Sequence, residues 1–325
     1  MKVTCGVLVR PGNIEFVERE LDLADDEVLV ETYQASICDA DLRAYRGMYM
    51  PDDLPSFKYI GHEGGGTVVE IGKKVREFRV GDKVMLFGPH NSFSNYFKAP
   101  VRDLHPVPDG LPMEIACLGE PICVGMFGVF EANPQLGDTV VVAGLNFQGL
   151  LAVEGLKKRG AAKLIAVDYS EAHLKLALQR GADIAINSSH EDASRIILDQ
   201  TGGKGADVVV HSCGYWNPRA EEYYNLCLQV TRDEGRLLSL PDTMTPLKIN
   251  LHRAHHHALE VLFPAVMHHG FEFRQRVVPR LLRPIMEGQI DIRGLITSVY
   301  PLREVQQAMR KFDEDIDQVK VVLRP

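Results

Sequence analysis

A chain of 325 residues has room for two domains of ordinary size, and its 45% hydrophobic and 25% charged residues are those of a globular protein. The formal net charge of -8 argues against nucleic acid or an anionic membrane as the main partner. MKVTCGVLVR at the N-terminus has no apolar core with a cleavage site, no apolar run is long enough to span a bilayer, and six scattered cysteines make no disulfide framework, so a reduced, cytoplasmic protein is expected.

In chain order, short apolar runs between turn signals make the first ~130 residues β-rich. EVLVETYQASI and GGGTVVEIG alternate like strands, and GKKVREFRVGDKVMLFG is a turn-rich segment that feeds another strand through Gly81 and Asp82. Pro106, Pro108 and Pro112 punctuate the next stretch of chain. The pattern then changes. GDTVVVAG is a short β-branched run ending in a turn, LLAVEGLKKRG has helical spacing, and AKLIAVD is a second short buried strand. SEAHLKLALQRGAD predicts a helix with Ser170 as N-cap and Gly181 just past its end. GADVVVHSCG and GRLLSLP add strands. Strands alternating with helices imply βαβ units on a parallel sheet, so residues 128–270 are expected to form a doubly wound nucleotide-binding domain. The tail, GLITSVYPLREVQQAMRKFDEDIDQVKVVLRP, is strand, helix, strand without a sheet of its own. Residues 271–325 are therefore expected to join residues 1–127.

VVVAGLNFQGLLAVEGL carries the dinucleotide signal. A strand enters a tight turn at Gly144 and a helix opens near Gly149, which places backbone N–H groups and the positive end of the helix dipole at a pyrophosphate. The G-x-G-x-x-G spacing holds except at its middle position, Asn146, so the candidate contacts are Gly144, Asn146, Phe147, Gln148 and Gly149. Asparagine tolerates a left-handed backbone better than most residues. Its side chain is expected either to crowd the phosphates or to bond to them. AVDYS ends the next strand with Asp168, at the ~20-residue offset of a ribose-binding acid. A carboxylate there accepts both ribose hydroxyls and repels a 2′-phosphate, which predicts NAD(H) over NADP(H). The plainer reading of Asp168 is a helix-capping acid before Ser170.

YIGHEGGGTV sets His62 and Glu63 side by side before three glycines. Alone, the stretch favours a surface turn followed by a strand. Upstream, SICDADLRAYRG brings Cys38, Asp39 and Asp41; downstream, ACLGEPICVGMF brings Glu120. A thiolate, an imidazole and two carboxylates can form a mixed S/N/O zinc site with three protein ligands and an open position. Asp41 is the candidate acceptor for the other ring nitrogen of His62. Against this, a lone buried Cys38 is ordinarily a small hydrophobe, and Cys117 and Cys123, which flank Glu120, are alternative ligands.

Together these stretches resemble the medium-chain dehydrogenase/reductase superfamily in its zinc-dependent alcohol/polyol branch, the sorbitol- and threonine-type dehydrogenases. The likeness runs through nearly the whole chain: the N-terminal segment up to SIC, Cys38…Asp41, GHE…G…V…IG…V…F…GDKV, GEP, GDTVVVAG…G, AVD and a terminal KVVLRP. It implies an α/β chain, a Rossmann-type doubly wound parallel sheet plus a β-rich GroES-like catalytic domain. It implies Zn2+ at Cys38 and His62, with Glu63 as ligand or exchangeable ligand, Glu120 binding zinc or holding its water, and Asp41 behind them. NAD(H), an alcohol or ketone substrate of the polyol or sugar-like kind, and a homo-oligomer (dimer or tetramer) are implied as well.

Three departures qualify the likeness. Ala40 stands where the family commonly has a Ser or Thr hydroxyl for proton relay, so the relay falls to Tyr45, Asp39 or a water chain. The four-cysteine structural zinc lobe is absent, VMLFGPHNSFSNYFKAP running straight on, so at most one zinc per chain is expected. Asn146 is the third. A zinc-free reductase of activated double bonds and a non-catalytic dinucleotide-binding relative are the competing readings. Retention of Cys38, His62, Glu63 and Glu120 argues against the former, while Ala40 and Asn146 keep the latter open. His252, His255 and His256, at i, i+3, i+4 spacing, form either a second metal site or a polar helix face. Cys213 lies near the nicotinamide or is a packed thiol. Arg43 and Arg46 meet an anionic substrate group or are simply exposed.

Overall fold

The structure is a computed structural model that describes residues 1–48, 60–214, 217–241 and 246–325, without the side chain of His268. Two antiparallel strands open the chain, β1 (Lys2–Arg10) and β2 (Asn13–Glu20). Then come β3 (Glu27–Ser36), helix α1 (Asp39–Tyr45), β4 (Glu63–Ile71), β5 (Lys83–Phe87), β6 (Tyr96–Pro100) and β7 (Leu104–Pro106), followed by the helices α2 (Met113–Ala116) and α3 (Gly119–Ala132). The alternating part begins with β8 (Thr139–Ala143), α4 (Phe147–Lys158), β9 (Lys163–Asp168), α5 (Glu171–Gln179) and β10 (Ile184–Asn187). It continues through α6 (Ala193–Gln200), β11 (Ala206–His211), α7 (Ala220–Val230), β12 (Thr231–Ser239), α8 (His252–His256) and β13 (Glu260–Leu262). Helix α9 (Phe271–Met286), β14 (Ile296–Pro301), α10 (Val305–Glu314) and β15 (Lys320–Arg324) complete the chain.

The chain divides into two compact units, Met1–Pro121 with His269–Pro325, and Ile122–His268. The first crossing falls inside α3, at Pro121, where the sequence suggested 127.

In the first unit a seven-stranded sheet has β14-β15-β3-β4-β5-β7 as its path, with β6 also on β3. The C-terminal strand β15 lies antiparallel on β3, Val322 opposite Ser36 and Leu323 opposite Ala35. Val28, Val30, Val68, Val84, Leu86 and Phe97 form part of its core. The three glycines of β4 serve this sheet. A Cβ at Gly66 would lie 1.8 Å from the Glu31 carbonyl oxygen, and one at Gly65 would lie 2.5 Å from that of Val84. Glycine there lets β3 and β5 close on β4, and the β3–β4 register places Ser36 opposite Glu63.

The second unit is a six-stranded sheet in the order β10-β9-β8-β11-β12-β13, every neighbouring pair parallel. Strand β8 is a continuous apolar run, Val140 to Ala143 all fully buried, as a strand covered on both faces requires. Strand order reverses between β8 and β11, the switch point at which open α/β sheets bind ligands. Helix α5 starts as its sequence predicts: the Ser170 hydroxyl oxygen accepts the His173 N–H at 3.2 Å, and Gly181 follows at φ +104. Among the described residues no helix is long and apolar enough to cross a membrane.

Candidate metal centre and phosphate loop

The candidate metal centre grows from the junction of β3, α1 and β4. Ser36 ends β3, and Cys38 caps α1 with an extended backbone, φ -104 and ψ 156. One turn later the buried Asp41 carboxylate turns back. Its Oδ2 accepts the Cys38 N–H at 2.9 Å, and its Oδ1 accepts the Gly61 N–H at 3.0 Å. The same Oδ1 lies 3.4 Å from His62 Nδ1, the arrangement in which a carboxylate orients an imidazole whose other nitrogen, Nε2, could bind a metal. Gly61 has φ +99, a conformation open to glycine, and this turn aims His62 at the cluster. One carboxylate thus orients both Cys38 and His62.

Cys38, His62 and Glu63 each present a ligand atom within 4.8 Å of the other two. A soft sulfur, an imidazole nitrogen and a carboxylate oxygen in one cluster suit zinc. Without a metal ion both candidate ligands are held protonated. Burial, then the Glu63 carboxylate, push the Cys38 thiol up to about 12. Burial alone would lower His62, but Asp41 and Cys38 hold it well above its usual range. A bound divalent ion reverses both effects, stabilising the thiolate and the neutral imidazole.

Glu63 is more committed than its sequence position suggests. Its carboxylate accepts a short hydrogen bond from the Ser36 hydroxyl and two from Lys320 Nζ, at 2.9 and 3.1 Å. Lys320 and Glu63 are 3% and 0% exposed, and Nζ also donates to the Ile37 carbonyl at 3.3 Å. Burial would lower Lys320, yet Glu63 and Cys38 raise it, so it remains a cation. Lys320 is a member of the site that the sequence reading missed. Its only signal was a lone lysine opening the apolar strand KVVL.

Glu120 lies in the first turn of α3 and is not part of the three-residue cluster. It nevertheless feels His62, Glu63, Lys320 and Asp41, and burial raises its carboxyl to about 7. Tyr45 is drawn elsewhere: its hydroxyl accepts the Gln306 Nε2–H at 3.1 Å, and Gln306 also binds the Ile14 N–H and the Gly12 carbonyl. Cys117 and Cys123 are fully buried and outside the cluster. The His256 ring meets that of His252 in a tilted contact at 4.2 Å and that of His255 edge-on at 5.1 Å, but among the described residues the three make no three-ligand group. Arg46 pairs with Asp313 at 2.6 Å, and Arg43 is buried.

The phosphate loop of the second unit departs from expectation at two points. Gly144 and Gly149 are required by space: a Cβ at Gly144 (φ +90) would meet the Cys213 nitrogen at 2.5 Å, and one at Gly149 the Gly144 oxygen at 2.1 Å. Asn146 is not left-handed. Its φ of -64 is open to any residue, and it acts as the N-cap of α4, its Oδ1 accepting the Gly149 N–H at 3.0 Å. Phe147 and Gln148 form the first turn of α4. Asp168, 3% exposed, is also partly used inside the protein. Its Oδ2 accepts the Leu145 N–H at 2.6 Å, and its Oδ1 the N–H groups of Tyr169 and Ser170, both at 2.8 Å. One lone pair on Oδ2 is left for a ribose hydroxyl, where the sequence suggested acceptance from both.

Two family models match the chain: the alcohol dehydrogenase GroES-like domain over residues 24–109, and the zinc-binding dehydrogenase domain over residues 149–283. An L-threonine 3-dehydrogenase of Bacillus velezensis is 28% identical, with 88% of this chain and 89% of the relative covered. A sorbitol dehydrogenase of Bombyx mori is 26% identical over 89% and 88%. Among solved structures, an Escherichia coli alcohol dehydrogenase complexed with NADH superposes with a TM-score of 0.83 at 21% identity, covering 100% of this chain and 99% of the other. With both domain models in sequence order and relatives matching along most of their length, the chain belongs to the zinc-type, medium-chain alcohol/polyol dehydrogenase family.

Proposed function

We propose that the protein is an NAD(H)-dependent zinc dehydrogenase that moves a hydride between a secondary alcohol of the polyol or sugar-like kind and the nicotinamide. The observation that carries this reading is the convergence of Cys38, His62 and Glu63 within 4.8 Å of one another. When bound, zinc supplies Lewis-acid polarisation of the substrate oxygen and the nicotinamide supplies the hydride acceptor. Cys38 and His62 hold the metal, and Asp41 fixes the geometry of both. Glu63, clamped by Lys320 and Ser36, serves as the exchangeable ligand. Glu120, buried within electrostatic reach of His62 and Glu63, binds the zinc or holds its water, and the relay that Ala40 lacks falls to Tyr45, Asp39 or a water chain. Asn146, Phe147 and Gln148 face the pyrophosphate, Gly144 and Gly149 give the loop the space to pass it while their own N–H groups bond Val167 and Asn146, and Asp168 takes a ribose hydroxyl. The sorbitol dehydrogenase relative supports the polyol class, and neighbours complexed with NADH and with NADP support a nicotinamide dinucleotide, the choice of NAD(H) resting on Asp168.

Six cysteines outside any disulfide fit a cytoplasmic setting. A homo-oligomer belongs to the same reading. It is supported by Phe263, 59% exposed beside the edge strand β13, and sedimentation checks it.

The test is zinc content together with NADH formation over a panel of polyols, sugar alcohols and simple secondary alcohols. One zinc per chain is expected, with turnover that a chelator removes and zinc restores. Turnover that survives complete metal removal, or reduction of activated double bonds in place of alcohol oxidation, overturns the reading.

A further inference from the structure

Ser212 follows β11 directly and is 1% exposed. Its N–H donates to the Ala143 carbonyl at 2.8 Å, which ties it to the end of β8, where the phosphate loop begins. Its hydroxyl donates to Asn146 Oδ1 at 2.6 Å. That oxygen also accepts the Gly149 N–H at 3.0 Å. Both lone pairs of Oδ1 are therefore engaged, and the Asn146 amide lies folded over the first turn of α4.

The middle fingerprint residue is usually glycine so that the backbone can approach the pyrophosphate. At φ -64 the backbone conformation of Asn146 does not require glycine, so the remaining requirement is space. A side chain at this place either stands over the phosphate path or is laid back from it. The Gly149 N–H alone leaves one Oδ1 lone pair unused; the Ser212 hydroxyl takes that pair and fixes the laid-back rotamer.

We propose that Ser212 is a positioning residue for the dinucleotide: its hydroxyl latches the Asn146 side chain onto α4 and keeps the pyrophosphate path open in a loop that lacks the middle glycine. This rests on the dinucleotide reading of the second unit and adds to it a residue outside the loop. Two consequences separate the latch from a general structural role. The pyrophosphate is common to NADH and NADPH, so losing the latch weakens both by the same factor, whereas Asp168 acts on their ratio. The latch also matters only while a side chain is present at position 146.

The experiment is a fluorescence titration of NADH and NADPH against wild type, Ser212→Ala, Asn146→Gly and the double variant, with melting temperature and metal content measured on each. Ser212→Ala is expected to raise both dissociation constants about three- to tenfold, the reach of one neutral hydrogen bond. In the Asn146→Gly background, which keeps a tolerated N-cap, the same change is expected to stay within about twofold. Ser212→Cys, with a weaker donor in place of the hydroxyl, is expected to fall between wild type and Ser212→Ala. It carries the comparison if the alanine variant is not recovered folded. Wild-type affinity in Ser212→Ala, or an equal loss in both backgrounds, overturns the latch. A wild type that binds neither dinucleotide overturns the cofactor reading and the latch with it, a result distinct from a wild type that binds and a variant that binds as well.

Discussion

Asp41 and Asp168 show how much of each site a single buried carboxylate holds in place. Asp41 binds the N–H groups of Cys38 and Gly61 and lies beside His62, so the two ligands share one support. Cys38→Ala leaves that support intact and removes only the sulfur. With three ligands there is little redundancy. Elemental analysis of Cys38→Ala is therefore expected to find most of the zinc gone from a protein that melts close to wild type; stoichiometric zinc with activity sinks the ligand assignment. Asp168 differs because its carboxylate accepts three backbone N–H groups. Asp168→Ser is expected to do two things at once. It relaxes the preference for NAD over NADP by removing the like charge, and it costs stability of ~1–3 kcal/mol by leaving buried donors unpaired. Cofactor titrations and urea melts on one preparation read both, and an unchanged cofactor ratio with lowered stability reduces Asp168 to a structural cap. The position of Asp168 was legible from its offset after the fingerprint. Its bonds to Tyr169 and Ser170 match the capping reading, but the bond to the Leu145 N–H was not legible, because it joins two strand ends distant in sequence.

At the scale of elements, strand β15 closes the metal centre from the far end of the chain. Lys320 and Glu63 are 257 residues apart in sequence and meet because β15 pairs with β3, which pairs with β4. A pair this buried is costly to break on one side only. In the metal-free protein Lys320→Met leaves the Glu63 carboxylate with the Ser36 hydroxyl as its remaining hydrogen-bond partner among the described residues and is expected to lose about 3–5 kcal/mol in denaturant unfolding. Adding Glu63→Gln removes the orphaned charge and is expected to recover a substantial part of that loss. A single variant as stable as wild type, or a double variant that recovers nothing, shows that the two groups are not coupled. The tail's strand–helix–strand pattern was legible in the sequence, as was its lack of a sheet of its own. The lysine's partner was not, because an apolar strand shows its alternation but not which neighbour it lies against. The GGG run gave no sign of its partners, which are the backbones of β3 and β5, at Gly66 and Gly65.

For the molecule as a whole, the βαβ alternation and the β-rich flanks were readable because buried parallel strands and half-buried strands leave different hydrophobic periods. Buried histidines leave no such period, and His211 has consequences for the entire stability curve. It ends β11 at 1% exposure, with Nδ1 3.1 Å from the Ser239 hydroxyl and its ring edge-on to Tyr224 at 5.0 Å. Its Nε2 has no hydrogen-bond partner among the described residues. Burial lowers its pKa to about 3, so the folded protein keeps it neutral. In the unfolded chain a histidine titrates near ~6.5. Between these values the unfolded state binds a proton that the native state does not, and stability falls as pH falls. The loss begins near ~6.5, proceeds at ~1.4 kcal/mol per pH unit for this one group, and levels off only below the folded value of about 3. His211→Leu cannot take up that proton. It forfeits the Ser239 contact, a fixed offset at every pH, and is expected to flatten the slope of unfolding free energy between about pH 6 and 5 by ~1 kcal/mol or more. Urea titrations of wild type and variant at pH 7, 6 and 5 make the comparison. Two parallel curves would show that His211 is protonated, or opened to solvent, in the native state.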